Sequence, residues 1–135
     1  MALLQMIDTP SGHIEIDGRD LSAIECADVR SRINVIPQDP FFMPGTVRFN
    51  MDPSGERVSD ETMESALEKV GLWKRISVNG GLEMALVASD WSVGERQLLA
   101  LARALTVKSS ILVLDEVTSR YDISVIPSYC TVDCD

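Results

Sequence analysis

Three stretches of the sequence carry residue types that could do chemistry on a charged ligand. Ile111-Leu112-Val113-Leu114 is a continuous apolar run that ends in Asp115-Glu116. Asp115 could hold a hard divalent cation directly or through water, and Glu116 could orient and deprotonate an attacking water. Taken alone the pair is a weak signal, because a buried strand leaving the core also ends well in solvated acids. Ser92-Val93-Gly94-Glu95 has the spacing of a capping box. A hydroxyl and unhindered N–H groups at a helix N-terminus also suit an anion, so cap and anion site are compatible readings. Gln38 follows the β-branched run Ile33-Asn34-Val35-Ile36 and Pro37, and is an ordinary loop amide unless its surroundings give it a task.

The elements that must position these residues alternate between two periods. His13-Ile14-Glu15-Ile16-Asp17-Gly18 alternates apolar and polar and predicts a half-buried strand entering an Asp-Gly turn. Ile33 to Ile36 predicts a buried strand, and Pro40 and Pro44 keep the following loop, Pro37 to Gly45, from becoming helical. Met51-Asp52-Pro53-Ser54-Gly55 is a second break. Ser59 then caps a helix whose Met63, Ala66, Leu67 and Val70 make an apolar stripe, with Asp60 and Glu61 at its positive end and Gly71 as its C-terminal cap. Asn79-Gly80-Gly81 predicts a turn. A second helix starts near Ser92 with the stripe Leu98, Leu101, Ala102 and Leu105. Apolar on every residue, Ile111 to Leu114 fits a strand covered on both faces, as in a parallel sheet. Such sheets bind ligands beyond their strand C-termini, where Asp115 and Glu116 stand.

Composition narrows the function classes. The 135 residues are 45% hydrophobic and 24% charged, a globular balance. Twelve Lys and Arg against 21 Asp and Glu leave a net charge of −9, which argues against nucleic acid and against a polybasic membrane anchor. No apolar run approaches the roughly 20 residues of a spanning helix, and the N-terminus has no basic stretch of the signal-peptide kind. Cys26, Cys130 and Cys134 are odd in number and lack metal-ligand spacing, which predicts free thiols in a reducing compartment.

The order of the three stretches adds what none carries alone. Gln38, the segment Trp91-Ser92-Val93-Gly94-Glu95-Arg96-Gln97 and Asp115-Glu116 are separated by 54 and 23 residues. The set resembles the nucleotide-binding domain of ATP-binding cassette (ABC) transporters, with its Q-loop, signature, Walker B strand and D-loop. Ile36 to Arg48, Asn50-Met51-Asp52-Pro53 and Ala66 to Trp73 resemble the multidrug-resistance-associated (C) subfamily. The resemblance covers residues 1–122 and implies an α/β fold, an incomplete P-loop NTPase core with a helical signature subdomain. It implies that Gln38 senses Mg²⁺ and the attacking water, that Asp115 holds Mg²⁺, and that Glu116 is the general base. Ser92, Gly94 and Glu95 of the signature and Asp122 of the D-loop Ser119-Arg120-Tyr121-Asp122 would meet ATP held by an opposing domain. The implied partners are the transmembrane domains of a transporter and a second nucleotide-binding domain, head to tail, at the cytoplasmic face of a membrane.

Departures accompany the matches. Trp91 and Glu95 stand where the family usually has Leu and Gln, so the signature is degenerate, and Glu95 would bring negative charge towards a polyphosphate. Arg120-Tyr121 replaces a small apolar pair. No G-x-x-x-x-G-K-[ST] occurs, so Walker A is lacking, and Leu3 to Asp8 resembles the end of the helix that follows it. His13 precedes the Q-loop and is no switch histidine. Residues 123–135 do not resemble the family, which predicts a divergent tail and leaves Ile111–Leu114 as an exposed apolar edge. The chain then reads as a piece of an ATPase domain that is not competent by itself. An alternative is a non-catalytic module or gene remnant that docks on an intact cassette. An ABC-type chromosome or DNA-repair ATPase is disfavoured, since 54 residues leave no room for its long coiled coil.

Overall fold

In a computed structural model, residues 2–4, 6, 12–55, 58–107, 109, 111–114 and 130–133 are described. The first hairpin forms as the alternation predicts: β1 (Glu15–Ile16) pairs antiparallel with β2 (Arg19–Asp20). Asp17 and Gly18 between them have φ of 51° and 74°, the left-handed pair of a type I′ hairpin turn. Asp20 then accepts a hydrogen bond from Ser22 N at 2.8 Å and caps a short 3-10 turn that leads to α1 (Cys26–Arg32).

The main sheet is parallel. β3 (Ile33–Ile36) pairs with β6 (Ile111–Leu114) in the register Ile33 with Ile111 through Ile36 with Leu114. β6 also pairs in parallel with β7 (Cys130–Asp133). The strand order is therefore β3-β6-β7, and the expectation of an exposed edge at Ile111–Leu114 is corrected. The physical reason lies in the last residues: Cys130-Thr131-Val132-Asp133 includes β-branched residues suited to a ladder, and it satisfies the backbone of β6 on its second side. The period of two sorts the strands between two cores. Ile36, Leu112 and Leu114 pack into the larger cluster, and Ile33, Val35, Ile111 and Val113 into the smaller one with Leu21 and Val29.

Between β3 and β6 the chain builds a helical layer. β4 (Gly45–Thr46) pairs antiparallel with β5 (Ala85–Leu86), and α2 (Val47–Met51), α3 (Asp60–Lys69), α4 (Trp73–Val78) and α5 (Val93–Thr106) complete it. The predicted caps of α3 are present: Ser59 Oγ accepts from Thr62 N, Gly71 has φ 76°, and Leu72 N donates back to Leu67 O at 2.9 Å. Its stripe of Met63, Ala66 and Leu67 is buried, with Val70 at its end.

The stripe of α5 is wider than its periodicity predicts. Leu101 and Ala102 are buried as expected, but Leu98 and Leu105 are only partly so, and Leu99, Ala100 and Ala104 are buried as well. Contacts with both α3 and β3 leave this helix little solvated face, so one amphipathic stripe underestimates its burial. Asn34 of β3, on the helical side of the sheet, donates from Nδ2 to Ala104 O at 3.3 Å. That carbonyl, in the last helical turn, also accepts from the C-cap Val107 N–H at 3.3 Å, so Asn34 adds a second donor to it. Among the described residues no helix is long and apolar enough to cross a membrane.

Leu67 is fully buried where α3 meets the core, whereas Val78 is 77% exposed. Leu67→Ala is expected to lower the unfolding free energy by about 2–5 kcal/mol, and Val78→Ala to change it by no more than about 0.5 kcal/mol. Urea denaturation of the two variants checks this contrast.

Candidate functional site

The candidate site is built where the first turn of α5 meets the loop after β3. Ser92 is the N-cap residue, with the extended φ and ψ of −62° and 159° that the position needs. Its Oγ accepts from Glu95 N at 3.2 Å, while Glu95 Oε2 accepts from Ser92 N and from Ser92 Oγ, each at 2.9 Å. The capping box read in the sequence is thus complete. The following turn, with Gly94 inside it, presents the N–H groups that have no carbonyl four residues back in the helix.

Both departures in this segment are explained by one residue that the sequence analysis did not single out. Arg75 of α4 forms an ion pair with Glu95 Oε1, and its Nη2 donates to Asp90 O at 2.8 Å. Its guanidinium lies over the Trp91 ring, 4.4 Å from the centroid. Trp91 is only 4% exposed, and its Nε1–H is buried without a hydrogen-bond partner. The ring keeps its place through packing and the stacked cation rather than through its polar edge. The Ser92 N–H first, and then the Arg75 guanidinium, hold the Glu95 carboxyl below the usual glutamate range. The negative charge that the sequence places near the helix end is therefore compensated from within the chain.

Gln38 stands two residues beyond Ile36, at the sheet edge where Leu114 ends β6 beside it. Gln97, buried in the first turns of α5, donates from Nε2 to Gln38 O at 3.3 Å. Arg96 Nη1 lies 3.9 Å from Asp39 Oδ1. The other end of the loop is held by Asn50, which is 1% exposed. Asn50 Oδ1 accepts from Met43 N at 2.9 Å, and Nδ2 donates to Met43 O and Thr46 O at 2.9 and 3.0 Å. Gln38, Ser92, Gly94 and Glu95 are thus brought to one region by direct ties between α5 and the loop. Asp115, Glu116 and Asp122 lie outside the described residues, as does the rest of Ser119–Asp122. His13 is exposed beside the first hairpin, apart from this region. Gln97 and Asn50 had one legible signal, a polar residue among neighbours with helical apolar spacing. Arg75 had none, since its partners are 15 to 20 residues away.

For the Mg²⁺ that the resemblance implies, Gln38 offers a hard oxygen of the right kind at the strand C-termini. Among the described residues no three His, Cys, Asp or Glu side chains converge on one point.

The sign of the pH dependence follows from the depressed carboxyl of Glu95. Its stabilising contribution is complete above the ordinary glutamate value of about 4.3 and is lost as pH falls through its lower folded value. The stability gap between the parent chain and Glu95→Gln is expected to be constant from pH 7 to about 5 and to shrink towards zero at lower pH. Ser92→Ala is expected to cost about 0.5–2 kcal/mol at neutral pH. Urea titrations over a pH series measure both effects.

Comparison with known proteins agrees with the geometry. The sequence pattern that describes the ABC transporter family matches residues 1–119. The ABC transporter ecdL of Aspergillus rugulosus is 46% identical over 121 residues, covering 90% of this chain and 8% of that protein. The ABC transporter C family MRP4 of Zea mays is 45% identical over 124 residues, again 90% of this chain and 8% of the relative. The ATP-binding cassette sub-family C member 8 of Homo sapiens is 40% identical over 127 residues, 92% of this chain and 8% of the relative. The chain therefore spans about 8% of the length of these relatives, and C-subfamily proteins are among them. With its α/β sheet, its capped α5 and a family match over most of its length, the chain belongs to the ABC transporter family.

Proposed function

We propose that residues 1–122 form the Q-loop, signature and Walker B side of a nucleotide-binding domain, whose ATP hydrolysis drives export through transmembrane domains at the cytoplasmic face of a membrane. Residues 123–135 are then a tail that diverges from the family, though Cys130–Asp133 joins the same sheet. The reading is carried by the hydrogen bond from Gln97 to Gln38 O, which ties the signature helix to the Q-loop within one chain. A helix opening that faces a nucleotide and a loop that reports on it need a direct link, and this hydrogen bond is one.

In this reading Asp115 and Gln38 would hold Mg²⁺, which would supply positive charge for phosphoryl transfer. Glu116 accepts the proton of the attacking water, and Gln38 orients that water. Ser92, Gly94, Glu95 and Asp122 face ATP carried by a second nucleotide-binding domain placed head to tail. The α/β fold is then a P-loop NTPase core in which this chain supplies the signature subdomain, α2 to α5, and the opposing domain supplies the phosphate-binding loop.

The 135 residues include no G-x-x-x-x-G-K-[ST]. Charge-assisted hydrogen bonds contribute roughly 1.5–3 kcal/mol each, so doing without three of them weakens binding by about 4.5 kcal/mol or more, over a thousandfold. The chain alone is expected to bind Mg-ATP more weakly than micromolar and to release no phosphate, whereas a complete C-subfamily cassette is expected to retain it on a column only when ATP is present. Calorimetry and pull-down with and without ATP test the two parts. Micromolar affinity of the chain alone, or nucleotide-independent retention, contradicts the proposal.

A further inference from the structure

Three arginines of the helical layer face carboxylates, and one of the three pairs is left unmade. Arg48 and Arg75 each donate hydrogen bonds to their acids. Arg96, in the first turns of α5, has one charged neighbour among the described residues: its Nη1 lies 3.9 Å from Asp39 Oδ1, beyond hydrogen-bond range. Its Nε–H is buried without an acceptor. A buried donor that bonds to nothing is unfavourable, and a charge-assisted bond to a carboxylate is among the stronger remedies for a guanidinium. The Asp39 side chain is 84% exposed, so packing does not hold it away from Arg96.

The loop that carries Asp39 divides into two parts. Pro40 is buried, and Phe42 is buried with the Arg103 guanidinium over its ring, 5.8 Å from the centroid. Met43 is fixed by two hydrogen bonds of 2.9 Å to Asn50. Residues 37–39, in contrast, are exposed, and the bond from Gln97 to Gln38 O is longer, at 3.3 Å. A mobile stretch of three residues thus lies between the end of β3 at Ile36 and an anchored stretch that begins at Pro40.

We propose that residues 37–39 form a clasp with two positions: the open one of this structure, and a closed one in which the Asp39 carboxylate accepts a hydrogen bond from Arg96 Nη1. A shift of about 1 Å brings the two atoms into bonding range. Residues 40–43 stay anchored by Arg103 and Asn50 and act as the fixed base of the clasp. Gln38 stands between Ile36 and Asp39, so closure carries it towards α5. The inference rests on the reading of Gln38 as the residue that reports on nucleotide, and names Arg96 as the positioning residue that sets where it stands. The closed position gains an ion pair at the expense of the freedom of three exposed residues, which makes the two positions close enough in energy to exchange.

The test is NMR relaxation dispersion on the full 135-residue chain without nucleotide, read at the Arg96 Nε–H and at the backbone amides of the loop. The parent chain is expected to show microsecond-to-millisecond exchange at Arg96 Nε–H, Gln38 and Asp39, and none at Phe42 and Met43. Asp39→Asn keeps the shape of the side chain and removes its charge, and is expected to abolish the exchange at Arg96 Nε–H. Unchanged shifts of the α3 amides show that the variant is folded. Flat profiles at Arg96 and Asp39 in the parent overturn the two positions. Exchange at Arg96 that persists in Asp39→Asn overturns the ion pair as the closing contact, and equal exchange at Phe42 and Met43 overturns the anchored base. Each of these results leaves the ATP-dependent retention by an intact cassette untouched, whereas loss of that retention removes the reporting role of Gln38 and leaves the clasp.

Discussion

The burial of α5 between the parallel sheet and α3 is the constraint on which the other features depend. Leu99, Leu101 and Ala102 are almost fully enclosed, so the axis of the helix is set by the core rather than by its exposed end. The first turn then emerges at a fixed height above the strand C-termini. Ser92 and Glu95 cap it there, Gln97 reaches the backbone of Gln38, and Arg96 approaches Asp39. A core of ordinary aliphatic residues thus determines where the polar groups can act.

Charge is used inside the chain in a consistent way. The chain carries a net charge of −9, and several of its cations act as ties between elements. Arg48 of α2 binds both carboxylate oxygens of Asp60 at the start of α3 and the carboxylate of Glu83. Arg75 joins α4 to α5, and Arg30 of α1 donates to Leu4 O at 3.0 Å. Exposed pairs of this kind contribute little individually, of order 0–1 kcal/mol, so their value lies in orientation. The same economy explains the pair of unusual residues in the helix opening: Trp91 and Glu95 share one guanidinium.

Much of the fold was legible from local pattern. Asp17-Gly18 marked its turn because both residues tolerate the left-handed conformation of a type I′ hairpin, and Ser59, Gly71 and Ser92 marked helix ends through backbone groups that must be satisfied locally. The strands Ile33–Ile36 and Ile111–Leu114 were legible from continuous apolarity. What escaped was non-local. The pairing of Cys130–Asp133 with β6 depends on a strand whose own sequence has no strong alternation. Leu99 and Ala104 are buried because a second helix covers them, which no single-helix period encodes. The candidate site was read from motif spacing, and of its residues Gln38, Ser92, Gly94 and Glu95 are among the described ones, whereas Asp115, Glu116 and Asp122 are not. Of its supports, Asn50 and Gln97 showed only as polar residues at helical apolar spacing and Arg75 not at all, since their partners are brought to them by the fold.

The two side-chain hydrogen bonds between α5 and the β3 segment have a mechanical meaning. Asn34 holds Ala104 O near the end of the helix, and Gln97 holds Gln38 O near its beginning. The two pins lie seven residues apart on the helix, about 10.5 Å of rise, and four apart on the segment that runs from β3 into its following loop. A slide of α5 by even one residue would break both bonds at once. The helix is thereby indexed against the strand like a bolt in a keyway. Sliding along the sheet would cost both hydrogen bonds, whereas a small tilt need not.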